Sequence, residues 1–207
     1  MLASLLRIIL LTATLKILER GLDKGPIIGL LMLLPVFIIL AILIYWEDGG
    51  PIFFIQQRIG RYNVPFYIYK FRSMRIEAPH DCATGELDNP DKWITKIGKW
   101  IRKTSLDELP QLINIIKGDM SIVGPRPVVL TETELISLRK LYGANQIRPG
   151  LTGWAQINGR DEVSVMRKAI LDREYKTRIS FFFDLRIFLE TFGNVLGEKG
   201  IHEGQRS

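Results

Sequence analysis

Two adjacent carboxylates, Asp107 and Glu108, stand in the stretch RKTSLDELPQLINIIKGDMSIVGPRP, residues 102–127. Arg102 and Lys103 precede them, and Arg126 follows between Pro125 and Pro127, whose rings fix the backbone around it. Acids among fixed arginines suit phosphoryl chemistry. The planar guanidinium fork matches phosphate oxygens, and a carboxylate can serve as nucleophile or as ligand to a hard cation. Successive helical residues point about 100° apart, so two neighbouring acids at a helix start take different jobs. One can be the nucleophile while the other holds a cation.

A plainer reading competes. Ser105 and Glu108 spell a capping box, and acids at a helix N-terminus usually serve as caps. The helix is expected to begin at or just before Asp107, because Pro110 is tolerated in a first turn. Leu109, Leu112, Ile113 and Ile116 then form its buried face, and Gly118 stops it. The surrounding arginines favour chemistry over a simple cap.

The elements that must position these acids are read from periodicity. Pro26 to Trp46 carries no charge over about twenty residues, the length of a bilayer-crossing helix. Pro35 near its middle removes a hydrogen bond, and basic residues flank both ends, so a hairpin returning to one side competes with a span. Sequence alone leaves both open. Residues 1–18, broken by Arg7 and Lys16, are expected to form an interfacial helix or a lead-in. Residues 51–74 suggest two short strands with a turn near Arg61 to Pro65, with Lys70 and Arg72 on one face. Arg75 to Trp93 is expected to be a surface loop, and Ile94 to Lys103 an amphipathic basic helix. Further helices are expected over Val128–Tyr142, with Arg139 exposed, and over Val163–Lys176. Ser180–Leu196 is expected to be a core or interfacial helix. Asn145 to Arg160 is expected to be a glycine-punctuated loop.

Composition narrows the classes. The 207 residues are 47% hydrophobic with a net charge of +6, which suits a membrane-anchored chain with an anionic partner. The single Cys82 excludes an internal disulfide, and with only His80 and His202 it offers no zinc ligand set. Neither a P-loop nor a GxGxxG is present.

Three segments, KFRSM (70–74), TSLDELPQLINIIKGDMSIVGPRP (104–127) and RPGLTGWAQINGR (148–160), closely resemble the bacterial sugar transferase family. These are the monotopic polyprenyl-phosphate phosphoglycosyl transferases, and the resemblance runs from about Arg20 to the C-terminus. It implies a membrane-associated α/β fold. A re-entrant hydrophobic helix in residues 1–48 would precede a small, mostly helical cytoplasmic domain in residues 49–207, with a short β-hairpin and interfacial helices. The family breaks its re-entrant helix at a Ser-Pro pair where this chain has Leu34-Pro35.

The resemblance also implies an activity: transfer of a sugar 1-phosphate from a UDP-sugar to a polyprenyl phosphate at the bacterial inner membrane, with release of UMP. By the same resemblance Asp107 would be the nucleophile and Glu108 a ligand of Mg²⁺. Lys70, Arg72, Arg102, Arg126, Arg148 and Asp172 would bind substrate, with Arg160 a further candidate. Partners would be the two substrates and membrane lipid, not nucleic acid. Rival readings are a Mg²⁺-dependent phosphohydrolase and a non-catalytic membrane module.

Overall fold

The computed structural model describes residues 25–79, 89–159 and 163–196. The expectations for residues 1–18, for Cys82 with His80 and His202, and for Arg160 lie outside them. Helix α1 runs from Gly25 to Asp48 with Pro35 inside it. Its stretch Leu30–Asp48 has a mean hydropathy of 2.5. One stripe of α1, Leu33, Leu40 and Ile44 with Val36 and Phe37, packs into a core with Phe71, Ile101, Leu106, Leu109 and Leu112. The other faces stay apolar and bare, with Leu34, Ile38, Ile39, Ile42 and Trp46 exposed. Apolar residues all round a helix that is only half covered mark a membrane-anchoring element.

Strands β1 (Phe53–Ile59) and β2 (Pro65–Phe71) form the expected antiparallel hairpin, in register from Phe53↔Phe71 to Ile59↔Pro65. Tyr62 and Asn63 turn the chain at positive φ, 57° and 62°. Helix α2 (Lys96–Lys103) starts on a double cap. Thr95 Oγ1 accepts from Gly98 N at 2.8 Å, and the Glu47 carboxylate accepts from Lys96 N and Ile97 N at 2.7 and 2.8 Å. Three otherwise orphaned amides are thus satisfied, one pair of them by the end of the membrane helix.

Where a capped helix start is expected at Asp107, the chain does something else. Ser105 adopts a left-handed conformation (φ 56°) and its side chain caps nothing. Leu106–Glu108 form a 3-10 turn, and helix α3 (Gln111–Lys117) begins only after Pro110. Its buried face also differs from the one expected: Leu112 is buried, but Ile116 is 39% exposed and Asn114 is fully buried. Asn114 Oδ1 accepts from Tyr69 N at 3.1 Å, and its Nδ2 donates to Tyr67 O at 2.7 Å. The amide therefore docks α3 onto the free edge of β2, satisfying backbone groups that a Leu there would orphan.

Strand β3 (Ser121–Val123) pairs in parallel with β4 (Gly150–Thr152), inside the stretch expected to be a plain loop. A one-turn helix α5 (Trp154–Ile157) follows. Helix α4 occupies only Thr133–Leu141, because Val128 is drawn into a bridge with Ile59. Helices α6 (Val165–Arg178) and α7 (Phe181–Leu196) complete the domain. In α7 Phe183, Ile187 and Phe188 are buried, while Phe181, Phe182 and Leu189 are exposed, so the helix has both a core face and a bare apolar face.

Helix α2 crosses the end of β2 so closely that a Cβ on Gly98 would stand 1.9 Å from Ser73 O. Helix propensity alone favours Gly98→Ala by roughly 1 kcal/mol. Backbone overlap reverses the sign, so the variant is expected to be less stable by about 1–3 kcal/mol. Thermal unfolding in detergent micelles checks this, and an unchanged or higher Tm would mean that α2 and β2 are not in such close contact.

Candidate active site

Three separate pieces of chain meet at Glu108. Lys70 lies on β2 opposite Phe54, and its Nζ reaches Glu108 Oε1 at 2.8 Å. Arg126, in the loop after β3, reaches the same oxygen through Nη2 at 3.1 Å. Leu106 and Leu109, both buried in the core under α1, clamp the turn that carries the acids. Burial pushes the Glu108 carboxyl up, but Lys70 and Arg126, by charge and hydrogen bond, outweigh it and hold the group well below the usual carboxylate range.

Asp107 has the opposite surroundings. It is 9% exposed, and no hydrogen bond or ion pair reaches its side chain among the described residues. Burial pushes its pKa up to about 6 against the pull of Lys70; the Glu108 charge adds to the rise, while Arg102 and Arg126 oppose it. The side chain opens onto a cavity that Gln56, Arg58, Lys70, Arg72 and Arg102 also line. Neighbouring acids with such different environments divide roles readily: one fixed as an anion, the other a free and basic carboxylate.

The loop carrying Arg126 is held from two sides. Gly124 N donates to Thr152 O at 2.8 Å, and Gly150 N donates to Pro125 O at 2.9 Å. The two strands approach so closely that a Cβ on Gly150 would lie 2.1 Å from Gly124 N. From behind, Arg139 Nη1 donates to the Arg126 carbonyl at 2.9 Å, and Arg139 Nε and Nη2 both meet Asp172 Oδ2 at 2.7 Å.

Lys70, Arg102, Arg126, Asp107 and Glu108 are thus gathered in one place. Arg72 also lines the cavity, but its Nη2 is tied to Asp48 (3.4 Å) and to the Gly49 carbonyl. Asp172 corrects an expectation. It is 1% exposed and its carboxylate is engaged by Arg139, whose Nη1 also holds the Arg126 carbonyl, so its contacts in this structure are with the Arg126 loop and not with the Asp107 cavity. Arg139, expected on the surface, is buried for the same reason. Arg148 is exposed, and a Cβ on Gly118 would meet its Nη2 at 3.8 Å. Helix α3, seven residues long and so about 10 Å, separates that spot from the acids.

Arg58 joins the cavity without a sequence motif to mark it. Its strand register puts it on the Gln56–Lys70 face, and one strand read alone does not reveal that register. Trp154 of the RPGLTGW segment is not at the acids. Its Nε1 donates to Glu174 at 3.0 Å and its ring packs 5.0 Å from Phe183.

The family model for the bacterial sugar transferases matches residues 15–198. This chain belongs to that family. The uncharacterized sugar transferase EpsL of Bacillus subtilis is 42% identical over 188 residues, covering 90% of this chain and 91% of the relative. The exopolysaccharide production protein ExoY of Rhizobium meliloti is 38% identical over 187 residues, 84% of this chain and 82% of that one. UDP-glucose:undecaprenyl-phosphate glucose-1-phosphate transferase of Xanthomonas campestris is 39% identical over 180 residues, 84% of this chain but 37% of that longer protein. The member described here is a membrane-associated transferase, anchored through α1.

The two acids bear on stability with opposite signs. Asp107 has a folded pKa of about 6 against an ordinary 3.8, so it disfavours the fold at neutral pH, and this penalty disappears as pH falls through 6 towards 4. Glu108 is depressed, so its contribution is full at neutral pH and is lost only in strong acid. Asp107→Asn is therefore expected to raise Tm by a few degrees at pH 7.5, about 2–8 °C for each kcal/mol gained, with the gap closing near pH 4.5. Melting curves of both proteins across that range decide it. Separately, Arg139→Gln leaves a buried, unpaired Asp172 and is expected to cost about 3–5 kcal/mol. A double replacement, Arg139→Met with Asp172→Leu, should cost clearly less than the single; equal costs would deny the pair its coupling.

Proposed function

We propose that this chain transfers a sugar 1-phosphate from a UDP-sugar to a polyprenyl phosphate at the membrane surface and releases UMP, with the phosphosugar carried in between on Asp107. One observation carries this reading: beside Glu108, which two cations hold, Asp107 is uncommitted, basic and open to a cation-lined cavity. The Xanthomonas relative, a UDP-glucose:undecaprenyl-phosphate glucose-1-phosphate transferase, supports the substrate class. Two steps follow. An Asp107 oxygen attacks the sugar-bearing phosphorus, the bond to the bridging oxygen breaks, and UMP leaves with that oxygen. A phosphate oxygen of the polyprenyl phosphate then attacks the same phosphorus and frees the carboxylate. In-line displacement is the expected geometry of each step.

A Mg²⁺ requirement fits this donor set in one form. No group of three or more His, Cys, Asp or Glu side chains able to hold a metal occurs among the described residues. Mg²⁺ is commonly held by one or two carboxylates together with substrate phosphates. Glu108, whose Oε1 is held by Lys70 and Arg126, would be the protein's share. When bound, the ion would neutralise charge on the diphosphate. Lys70 and Arg126 keep Glu108 ionised and oriented. Arg102 faces the same cavity as Asp107 and adds positive charge where the diphosphate must lie.

The reading includes residues 1–48 as anchor and residues 49–207 as catalytic domain, with α1 returning to the cytoplasmic side. Support comes from its packing. Leu33 to Ile44, about 16 Å of helix, lie against the domain. Pro35 stands within that stretch, where its ring removes a backbone hydrogen bond and favours a bend.

The test uses membranes containing the full chain, Mg²⁺, polyprenyl phosphate and a panel of UDP-sugars, with UMP release as readout. Wild type should release UMP with at least one sugar and Asp107→Asn should not, at matched expression. UMP release that persists in the variant, or free sugar phosphate formed without acceptor, would sink the proposal. Below pH 6 the first step should slow about tenfold per pH unit as Asp107 takes its proton. A rate flat from pH 7.5 to 5 would remove Asp107 from the nucleophile's role.

A further inference from the structure

Two guanidinium groups in the Asp107 cavity lack full partners. Arg58 projects from the inward face of β1, and its Nη2 donates to Gln56 Oε1 at 2.6 Å. Its Nε is buried without a hydrogen-bond partner, and it makes no ion pair among the described residues. Arg72 is 5% exposed. Its Nη2 is taken by Asp48 and the Gly49 carbonyl, while its Nη1 is buried without a partner. Both side chains line the cavity onto which Asp107 opens.

Such an arrangement is costly in an idle protein. An unsatisfied buried N–H costs on the order of 1–3 kcal/mol, more when the group is charged. Burial and the nearby Arg126 hold Arg58 down at about 10, outweighing the opposing pull of Glu132 and Glu108. A rigid hairpin keeps it in place whether or not a ligand is present, which is how preorganised anion sites work. Paired planar forks fit the oxygens of a phosphoryl group.

We propose that Arg58 and Arg72 form a phosphate-monoester subsite beside Asp107, used first by the phosphate of departing UMP and then by the phosphate of the incoming lipid. It rests on the transferase reading above. Both compounds share one chemical part, a phosphate monoester. In a two-step exchange on one carboxylate, each must stand in line with the bond between Asp107 and the transferred phosphorus. One subsite therefore serves both, in turn. Arg72, tied by Asp48 to the end of α1, keeps the subsite in register with the membrane helix.

The experiment uses the full chain in nanodiscs, with inorganic phosphate as the first probe and the thermal shift as readout. Arg58→Gln should need at least tenfold more phosphate for the half-maximal shift, and Arg58→Lys, which keeps charge but loses the fork, an intermediate amount. Lys140→Gln, on the exposed face of α4, serves as a control for net charge and should match wild type. Without phosphate, Arg58→Gln should melt no lower than wild type, because it removes a largely desolvated cation whose Nε lacks a partner; a lower melting point together with unchanged phosphate affinity would make Arg58 structural and overturn the proposal. In the enzyme assay, Arg58→Gln should raise the UMP inhibition constant and the KM for polyprenyl phosphate by similar factors. A rise in only one would assign the subsite to that source and overturn the sharing. Transfer by wild type with Arg58→Gln unaffected would sink the subsite and leave the transferase reading intact. Phosphate binding that needs Arg58, in a wild type that releases no UMP from any sugar, would sustain the subsite and remove the transferase reading.

Discussion

One carboxylate oxygen holds the site together. Glu108 Oε1 is shared by Lys70 from the hairpin and Arg126 from the loop after β3. Two cations on one buried acid leave local positive charge, which suits a diphosphate. They also keep Glu108 ionised, so that protonation near neutrality falls to Asp107 alone. The division between the two acids is thus a matter of neighbours. Asp and Glu start from similar carboxyl pKa values and are separated by what surrounds each side chain.

Everything around that oxygen fixes the three pieces that meet there. Asn114 clips α3 to the edge of β2, setting the distance between the acids' turn and Lys70. Arg139 and Asp172 grip the Arg126 carbonyl from behind, while the close approach of Gly124 and Gly150 holds the same loop in front. The membrane helix joins in as well. Glu47 caps α2, and Asp48 holds Arg72. The end of α1 and the geometry of the cavity are therefore joined through adjacent residues, Glu47 and Asp48.

Much of this was legible in the chain. The uncharged run before Trp46, the alternation around Tyr67–Phe71 and the helical spacing of later segments correspond to α1, β2, α6 and α7. The parallel pair β3–β4 was not, because three-residue strands carry too little pattern and pair over a long sequence separation. Nor was the turn at Asp107. A Ser three residues before a Glu normally signals a cap, but here Ser105 is left-handed and Glu108 turns to Lys70. Local propensity yields to charge pairing once a cation from another strand is within reach.

Residue type and order alone determined the chemistry in prospect: two acids, arginines held by prolines, an apolar anchor and the family to which they belong. Those features are local, and local features survive in a linear string. Which acid is pinned, that Asp172 pairs with Arg139, and that Arg58 joins the cavity were decided only in three dimensions. Each depends on burial and on a partner far along the chain. In a medium of low dielectric a charge is governed by its nearest neighbours in space, whatever their distance in sequence.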